Sequence, residues 1–225
     1  MARFKRLQVL NAINDMGIVP LFYHKDAGLV KNVVKALYDG GARIFEFTNR
    51  GDYAHEVFAE VNKYCEDTCP DMILGVGSVV DSGTASIYIQ LGANFVVSPL
   101  LNPDLAKVCN RRKIAWIPGC ATLSEINDAE ELGCEVVKIF PGKEVGGPSF
   151  VKAATGPCPW TQLMPSGGVA PTEESLKGWF DAGAFCVGMG SNLVTKEIIQ
   201  NKDFKKLEES MRDVLALVKK VRQVH

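Results

Sequence analysis

The sequence predicts an α/β fold, a (β/α)8 TIM barrel with an N-terminal helix. Helical stretches that end in glycine are followed by short apolar runs, as in DGGARIFEFTN (39–49) and LGCEVVKIFP (132–141). Glycine after a helix marks a helix-to-strand junction. Strands that alternate with helices form a parallel sheet, and eight such units in a chain of 225 residues fit a closed barrel. We therefore predict a single domain, with the N-terminal helix in residues 1–16 and the barrel in residues 17–225.

The elements can be predicted in order along the chain. The N-terminal helix is amphipathic, with Phe4, Leu7, Leu10 and Ile13 on one apolar stripe. Eight strand candidates follow, and a helical stretch comes after each one. An open doubly wound sheet is the alternative, but the G-x-G-x-x-G motif that would favour it is absent after the first strand. The predicted strands lie in segments 17–23, 39–49, 72–80, 91–99, 114–120, 132–141, 162–168 and 182–190.

Composition excludes several classes of function. The formal net charge of −1 gives no electrostatic footprint for nucleic acid or an anionic membrane. No apolar run is long enough to span a membrane, and the N-terminal segment lacks the apolar region of a signal peptide, so we expect a cytoplasmic protein. The seven cysteines follow no paired spacing and are expected to be reduced thiols. His24, His55 and His225 do not cluster in the sequence, so no metal site is predicted.

Lys138 lies inside an apolar strand, CEVVKIFPG (134–142). Side chains alternate along a strand, so Lys138 shares one face with Val136 and Phe140. Two structural interpretations remain open from the strand alone. Lys138 could form a buried ion pair, or it could point outward and extend between helices.

A catalytic interpretation follows if the lysine points inward. Glu46, Thr48 and Arg50 share a face of strand two, which lies opposite strand six in an eight-stranded barrel, so Glu46 and Lys138 can face each other. Burial disfavours a charged ammonium, and a neutral amine can attack a ketone to form a Schiff base. A nearby carboxylate such as Glu46 can then move protons. Lysine, carboxylate and no metal ligands together indicate an imine-forming aldolase.

Two glycine-containing segments at the ends of the last strands predict a phosphate site. PSGG follows strand seven and GMGS follows strand eight. Loops at these positions, with a helix N-terminus, can offer backbone N–H groups to an anion, and glycine permits close approach. The alternative is that both segments are only tight turns. The candidate phosphate ligands are Ser166, Gly167, Gly168, Gly190 and Ser191.

The sequence resembles the 2-keto-3-deoxy-6-phosphogluconate (KDPG) / 4-hydroxy-2-oxoglutarate (KHG) aldolase family. The resemblance extends from about GIVPLFY to GMGSNLV, nearly the whole chain. It implies a (β/α)8 barrel, commonly trimeric, that uses a Schiff-base lysine with no metal or other cofactor. The motifs that carry it are EFTNR, GVGSVVD, FVVSP, IPGCATLSE, VKIFP, PSGGVAP and GMGSNLV.

The resemblance also assigns individual roles. Lys138 falls at the Schiff-base position and Glu46 at the proton-shuttle position. Arg50 falls at the position that binds the substrate carboxylate, and Ser78 stands where the family usually has threonine beside that carboxylate. Residues expected to line the pocket are Thr48, Pro99, Phe140, Cys120 and Thr122.

Some positions depart from the usual family pattern. Asn49 and Gly51, on either side of Arg50, differ from other members, and Leu100 follows Pro99 where glycine is usual. PGCAT places Cys120 beside the entrance and also occurs in relatives that act on the galactonate isomer. These departures leave the stereochemistry of the substrate open.

The predicted function is therefore a class I aldolase that cleaves KDPG to pyruvate and glyceraldehyde 3-phosphate. Its expected partners are a phosphorylated keto-deoxy sugar acid, pyruvate and two further copies of the chain in a homotrimer. Cleavage of KHG or of 2-keto-3-deoxy-6-phosphogalactonate is an alternative. A non-catalytic phosphosugar-binding barrel is the alternative from a different class.

Overall fold

A computed structural model describes residues 2–223 of the chain. Strands and helices alternate along most of its length. The strands are β1 (Ile18–Phe22), β2 (Ile44–Thr48), β3 (Ile73–Gly77), β4 (Phe95–Val97), β5 (in two segments, Ala115–Ile117 and Gly119–Cys120), β6 (Val137–Ile139), β7 (Leu163–Pro165) and β8 (Val187–Met189). The helices are α1 (Arg6–Met16), α2 (Ala27–Asp39), α3 (Ala54–Thr68), α4 (Ser82–Gln90), α5 (Pro103–Arg112), α6 (Leu123–Glu131), α7 (Pro148–Thr155), α8 (Glu173–Asp181), α9 (Lys196–Asn201) and α10 (Phe204–Arg222).

The strands pair in parallel around a closed ring. One sheet runs in the order β5-β4-β3-β2-β1-β8 through the first segment of β5, and a second sheet joins the other segment of β5 to β6 and β7. Pro118 separates the two segments and accepts a hydrogen bond from the Lys138 backbone N–H at 2.8 Å. A parallel bridge between Ser166 and Gly188 links β7 to β8. The predicted (β/α)8 barrel, with a helix before it, is confirmed.

Helix α1 packs against the amino-terminal ends of the strands. Val9 and Ile13 are fully buried, four residues apart on one face of the helix. They belong to an interior cluster with the first inward residues of several strands, including Val19 and Ile44. The predicted stripe is wrong at Leu7, which is 72% exposed. The amphipathic pattern did not show which narrow face would meet the barrel.

Alternation along β2 separates apolar packing from the polar site. Ile44 packs in the interior cluster, whereas Phe45 and Phe47 pack in the layer between strands and helices. Because side chains alternate, Glu46 and Thr48 take inward positions toward the carboxyl end of the strand. The barrel is thus apolar at its amino-terminal end and polar where active sites form in this fold. Within residues 2–223, no helix has the length and apolar character needed to cross a membrane.

Candidate active site

Lys138 points into the barrel. Its neighbour Val136 packs in the interior cluster, while Val137 and Ile139 pack against the helices. The side chain is only 6% exposed, and its Nζ lies 4.9 Å from the centroid of the Phe140 ring. The alternative in which Lys138 extends outward between helices is therefore wrong. The structure presents an amine inside the barrel, against an aromatic ring.

Glu46 is buried in the same interior, with 1% of its surface exposed. Burial raises the pKa of the Glu46 carboxyl above its usual range, and the positive charges of Lys138 and Arg50 partly lower it. The carboxylate oxygen Oε2 has no hydrogen-bond partner in the described part of the chain. Among residues 2–223 no ion pair with an N···O distance within 4.0 Å joins Glu46 to Lys138. The two groups interact through their charges without a direct salt bridge.

Gly77 makes room for the Glu46 side chain. A Cβ at position 77 would overlap the carboxylate oxygen Oε1. The β2–β3 register pairs Gly77 with Thr48, whose side chain points inward. Position 77 therefore lies on the inward face of β3, beside the Glu46 carboxylate. The sequence around Gly77 does not indicate that it makes room for a side chain, because a glycine at a strand end is usually explained by a turn. Here the absence of a side chain provides the space.

Arg50 and Ser78 follow the paired ends of β2 and β3. The backbone N–H of Asn49 donates to the Gly77 carbonyl at 2.8 Å, which holds the two loops together. Ser78 has a φ of +58°, a conformation that is uncommon for a residue other than glycine. Tyr88 Oη also donates to Asn49 Oδ1 at 2.8 Å. The structure thus places Arg50 and Ser78 on adjacent loops. Beside them it shows a hydrogen bond between Tyr88 and Asn49 that the sequence did not indicate.

A cavity of about 190 Å³ collects the predicted phosphate ligands; we call it the glycine cavity. Gly167 and Gly168 have φ values of +96° and +80°. Within residues 2–223, the backbone N–H groups of Gly168 and Ser191 donate to no acceptor in the protein. Its lining includes Arg50, Phe140, Ser166, Gly167, Gly168, Gly190 and Ser191.

The expected helix N-terminus does not lie directly at these loops. Helix α8 begins at Glu173 and is capped by Thr172, and helix α9 begins only at Lys196. The N–H groups available to an anion therefore belong to the loops themselves. Asn192 Nδ2 donates to the Val169 carbonyl at 2.7 Å and joins the two loops to each other.

A second cavity, of about 340 Å³, adjoins the glycine cavity; we call it the histidine cavity. Arg50 and Ser191 line both cavities, while Thr48 lines the histidine cavity alone. His24 and Lys196 also line it, and the sequence gave no reason to join them. They follow β1 and begin α9, which are close only because the barrel closes.

Pro99 is partly buried after β4. Its backbone packs so closely on Gly119 that a Cβ at position 119 would overlap it. Pro99 lines neither the glycine cavity nor the histidine cavity. Its predicted contact with substrate remains a prediction.

Cys120 and Thr122 do not occupy the predicted pocket positions. Cys120 packs in the layer between strands and helices, because alternation along β5 turns it away from the interior. Burial, with smaller contributions from the charges of Glu125 and Asp128, raises the pKa of the Cys120 thiol to about 12. Thr122 is exposed and caps α6, with its Oγ1 accepting a hydrogen bond from the Glu125 backbone N–H at 3.2 Å.

Across residues 2–223, no group of three or more His, Cys, Asp or Glu side chains is placed to hold a metal ion. His24 and His55 lie within this part of the chain, whereas His225 lies outside the described residues.

A closed (β/α)8 barrel with a buried inward lysine and a nearby carboxylate is the arrangement that a Schiff-base aldolase requires. The family model for KDPG and KHG aldolase matches residues 9–210 of the chain. The chain belongs to the KDPG and KHG aldolase family.

Individual relatives cover most of the chain. A 2-dehydro-3-deoxy-phosphogluconate aldolase from Haemophilus influenzae is 27% identical over 212 residues, 94% of this chain and 97% of the relative. An enzyme of the same name from Pseudoalteromonas atlantica is 31% identical and covers 88% of this chain and 90% of its own length. The KDPG aldolase of Legionella pneumophila superimposes with a TM-score of 0.81 at 27% identity, over 90% of this chain and 96% of that one. Its crystal structure contains pyruvate captured at low pH as a covalent carbinolamine intermediate.

Proposed function

We propose that the protein is a class I aldolase that cleaves KDPG to pyruvate and glyceraldehyde 3-phosphate. The observation that carries this proposal is the buried pair of Lys138 and Glu46 inside the barrel. The relatives named as aldolases of this phosphorylated acid support the choice of substrate. The pyruvate carbinolamine in the Legionella enzyme supports a covalent route through an amine.

The first step forms the Schiff base. The Lys138 amine, after it has lost its proton, adds to the C2 ketone of the substrate and gives a carbinolamine. Glu46 moves the protons that convert the carbinolamine hydroxyl into leaving water. Burial raises the pKa of Glu46 above its usual range, so this carboxyl takes up a proton more readily than an exposed one, which suits a group that must both accept and donate a proton. The resulting protonated imine withdraws electrons from the adjacent carbons.

The second step breaks the C3–C4 bond. Glu46 accepts the proton of the C4 hydroxyl, C4 becomes the aldehyde carbon, and the bonding electrons move to C3 and the imine nitrogen as an enamine. Glyceraldehyde 3-phosphate then leaves. Protonation at C3 returns the imine, and water hydrolyses it to pyruvate and free Lys138. The unpartnered oxygen Oε2 supports this role, because it is available to a substrate hydroxyl or a water molecule.

Arg50 and Ser78 would hold the carboxylate of the substrate. A guanidinium can bind a carboxylate through two parallel hydrogen bonds, and Arg50 forms no ion pair within the described residues. Phe140, Thr48 and Pro99 would surround the pyruvyl carbons. The phosphate would lie on the glycine cavity, whose loop N–H groups can donate to it.

We also propose that the chain forms a cytoplasmic homotrimer. Val80, Ile87, Leu100 and Leu123 are exposed apolar residues on consecutive strand–helix units, a distribution that favours burial against another copy. All seven cysteines are unpaired, and most are buried, which is typical of proteins from a reducing compartment.

Borohydride trapping tests the covalent route. Incubation with pyruvate and borohydride should add a stable pyruvyl-derived mass to Lys138, mapped by peptide mass spectrometry. Lys143 and Lys152, in the following loop and helix, are internal controls that should stay unmodified. Modification at either control, or none anywhere, would overturn the Schiff-base assignment.

A panel of acids tests the substrate. Turnover should be fastest on KDPG when it is compared with the phosphogalactonate epimer, the unphosphorylated acid and KHG. Fastest turnover on another member would replace the assigned substrate with that acid. Binding of KDPG without any cleavage would favour the phosphosugar-binding barrel.

A further inference from the structure

The histidine cavity has a marked positive character. Arg50, His24 and Lys196 lie among its lining residues, together with the polar side chains of Ser191 and Gln200. No aspartate or glutamate of the described residues lines it. A cavity with cationic side chains and no acid attracts an anion.

Nearby acidic side chains are engaged elsewhere. Glu197, which follows Lys196, pairs with Lys206 at 2.9 Å. Asp26 caps α2, where its Oδ1 accepts the backbone N–H groups of Gly28 and Leu29 at 2.8 and 3.2 Å. Across residues 2–223, Lys196 forms no ion pair. Within the described chain, Lys196 is therefore not neutralised by a carboxylate, and Arg50 interacts with Glu46 through its charge without an ion pair.

A hydrogen bond fixes the orientation of His24. Its Nδ1 accepts the backbone N–H of Asp26 at 3.0 Å. In a neutral imidazole the proton is then on Nε2, which remains a donor. The ring also stacks on Phe22, with an interplanar angle of 2°. His24 thus offers its Nε2–H as a donor, while the Asp26 N–H holds the ring at Nδ1.

The histidine cavity is continuous with the glycine cavity. Leu21, Arg50, Gly190 and Ser191 line both, so a ligand group at Ser191 can contact loop N–H groups on one side and the cationic residues on the other. The histidine cavity, at about 340 Å³, is of the size found for small-molecule sites, whereas the glycine cavity alone is smaller.

We propose that His24 and Lys196 complete a phosphate subsite and select phosphorylated over unphosphorylated substrates. This inference rests on the proposed function and adds two specificity residues to it. A phosphate monoester carries about 1.5 to 2 negative charges at pH 7, and a carboxylate carries one. Arg50 would hold the substrate carboxylate, so the Lys196 ammonium and the Nε2 donor of His24 are the groups left to meet the larger charge of a phosphate. The subsite therefore favours a phosphate over the second carboxylate of a dicarboxylic acid.

The test compares one substrate with and without its phosphate. His24→Asn keeps a side-chain acceptor for the Asp26 N–H but removes the Nε2 donor. Lys196→Gln removes a charge from an exposed position at the start of α9, where a cation does not stabilise the helix. Lys25→Gln is the matched control, because Lys25 is exposed on the same loop and does not line the cavity.

The expected result is a change in specificity rather than a general loss. For each of the two cavity variants, kcat/KM on KDPG should fall about tenfold, as expected for loss of one charged hydrogen bond. Turnover of unphosphorylated 2-keto-3-deoxygluconate and pyruvate trapping at Lys138 should be unchanged. The Lys25→Gln control should match the wild type on both substrates. Equal losses on both substrates, or no loss on either, would overturn the proposal.

A binding measurement separates this inference from the aldolase assignment. Wild-type protein that cleaves neither acid would contradict the aldolase assignment alone. Titration with inorganic phosphate would still test the cavity, because the variant with both substitutions should bind it at least tenfold more weakly than the wild type. Equal phosphate affinity in the two proteins would remove His24 and Lys196 from any phosphate subsite.

Discussion

Glu46 combines deep burial with a carboxylate oxygen, Oε2, that has no hydrogen-bond partner among residues 2–223. A buried polar group without a partner costs roughly 1–3 kcal/mol, and more when it is charged. Lys138 and Arg50 offset part of this cost through their charges, but burial dominates and the pKa of Glu46 is raised. A residue held at such a cost is more readily explained by proton transfer than by stability.

Replacing Glu46 with glutamine should keep the fold and remove most of the activity. Gln is nearly isosteric, but it cannot accept a proton at neutral pH. General acid–base groups contribute about 10²–10⁴-fold, so kcat for aldol cleavage should fall within that range. Pyruvate trapping by borohydride at long incubation should still label Lys138. Full turnover would instead leave Glu46 as a partner in a structural charge pair.

The same variant should change how stability depends on pH. Because the folded-state pKa of Glu46 is raised above its unfolded value of roughly 4.3, the folded wild type binds the proton more tightly. Its contribution to stability is present below the unfolded pKa and is lost as pH rises through the folded pKa. Glutamine does not titrate, so Tm of the Glu46→Gln variant relative to the wild type should be higher at pH 7 than at pH 4. A difference in Tm that is independent of pH would contradict the raised pKa.

Gly77→Ala should displace the Glu46 carboxylate, since the added Cβ would overlap Oε1. If Glu46 is the proposed proton shuttle, kcat should fall at least about tenfold and its pH profile should shift, because the carboxylate moves relative to the substrate. Gly178→Ala is a matched control, as its Cβ would have no neighbour nearer than 3.9 Å. A pH profile and kcat equal to those of the wild type would show that the carboxylate does not depend on this space.

At the scale of elements, alternation along a short strand and the start of the next helix decide which side chains can face the barrel interior. Along β5, alternation directs Cys120 toward the helices, and the next loop uses Thr122 to begin α6. A motif read as pocket lining is therefore a strand end followed by a helix cap. The first turn of α6 forms a capping box, in which Glu125 Oε2 accepts the backbone N–H of Thr122 at 3.0 Å.

Thr122→Val should lower stability without changing catalysis. Loss of a side-chain cap typically costs about 1 kcal/mol, so the free energy of unfolding in urea should fall by about that amount. KM and kcat should stay at wild-type values, because Thr122 lines neither cavity. Ser124→Ala is the control: Ser124 is exposed in the first turn of α6, two residues after Thr122, and its replacement should change neither stability nor catalysis. A raised KM with unchanged stability would return Thr122 to the pocket.

At the scale of the whole molecule, the two ends of the barrel differ in what covers them. Helix α1 covers the amino-terminal ends of the strands, while the loops at the opposite ends form the cavities. Four exposed apolar side chains lie on the consecutive units that contain α4, α5 and α6, whereas Leu7, Tyr53 and Trp160 are exposed elsewhere. This distribution supports association of copies through the side of the barrel.

Ile87→Lys should disrupt that association. Ile87 is 49% exposed on α4, and a buried unpaired charge in its place would be costly at an interface. Light scattering after size exclusion should give a trimer for the wild type and a monomer for Ile87→Lys. Leu7→Lys, which changes an exposed apolar residue on α1, should remain trimeric. A monomeric wild type would overturn the proposed trimer. A trimeric Ile87→Lys variant would show that Ile87 lies outside the interface.

The sequence by itself determined the order of strands and helices and the barrel, because glycine caps and alternation act over a few neighbouring residues. It singled out Lys138 as a charged residue inside an apolar strand, but the roles of Lys138 and Glu46 came from the resemblance to the family and stay predictions. The turn formed by Gly167 and Gly168 was also predictable, since glycine adopts the positive φ values that other residues avoid, whereas phosphate binding there stays a prediction.

Only the tertiary structure decided which face of each strand points inward and what meets across the barrel. It turned Lys138 inward and Cys120 outward, and it showed that Gly77 provides space for a carboxylate from the neighbouring strand. It also brought His24 and Lys196 to one cavity, because closure of the barrel places its first and last strands side by side. Contacts between residues far apart in the chain depend on how all the strands pair, and no local pattern of apolar and polar residues contains that information.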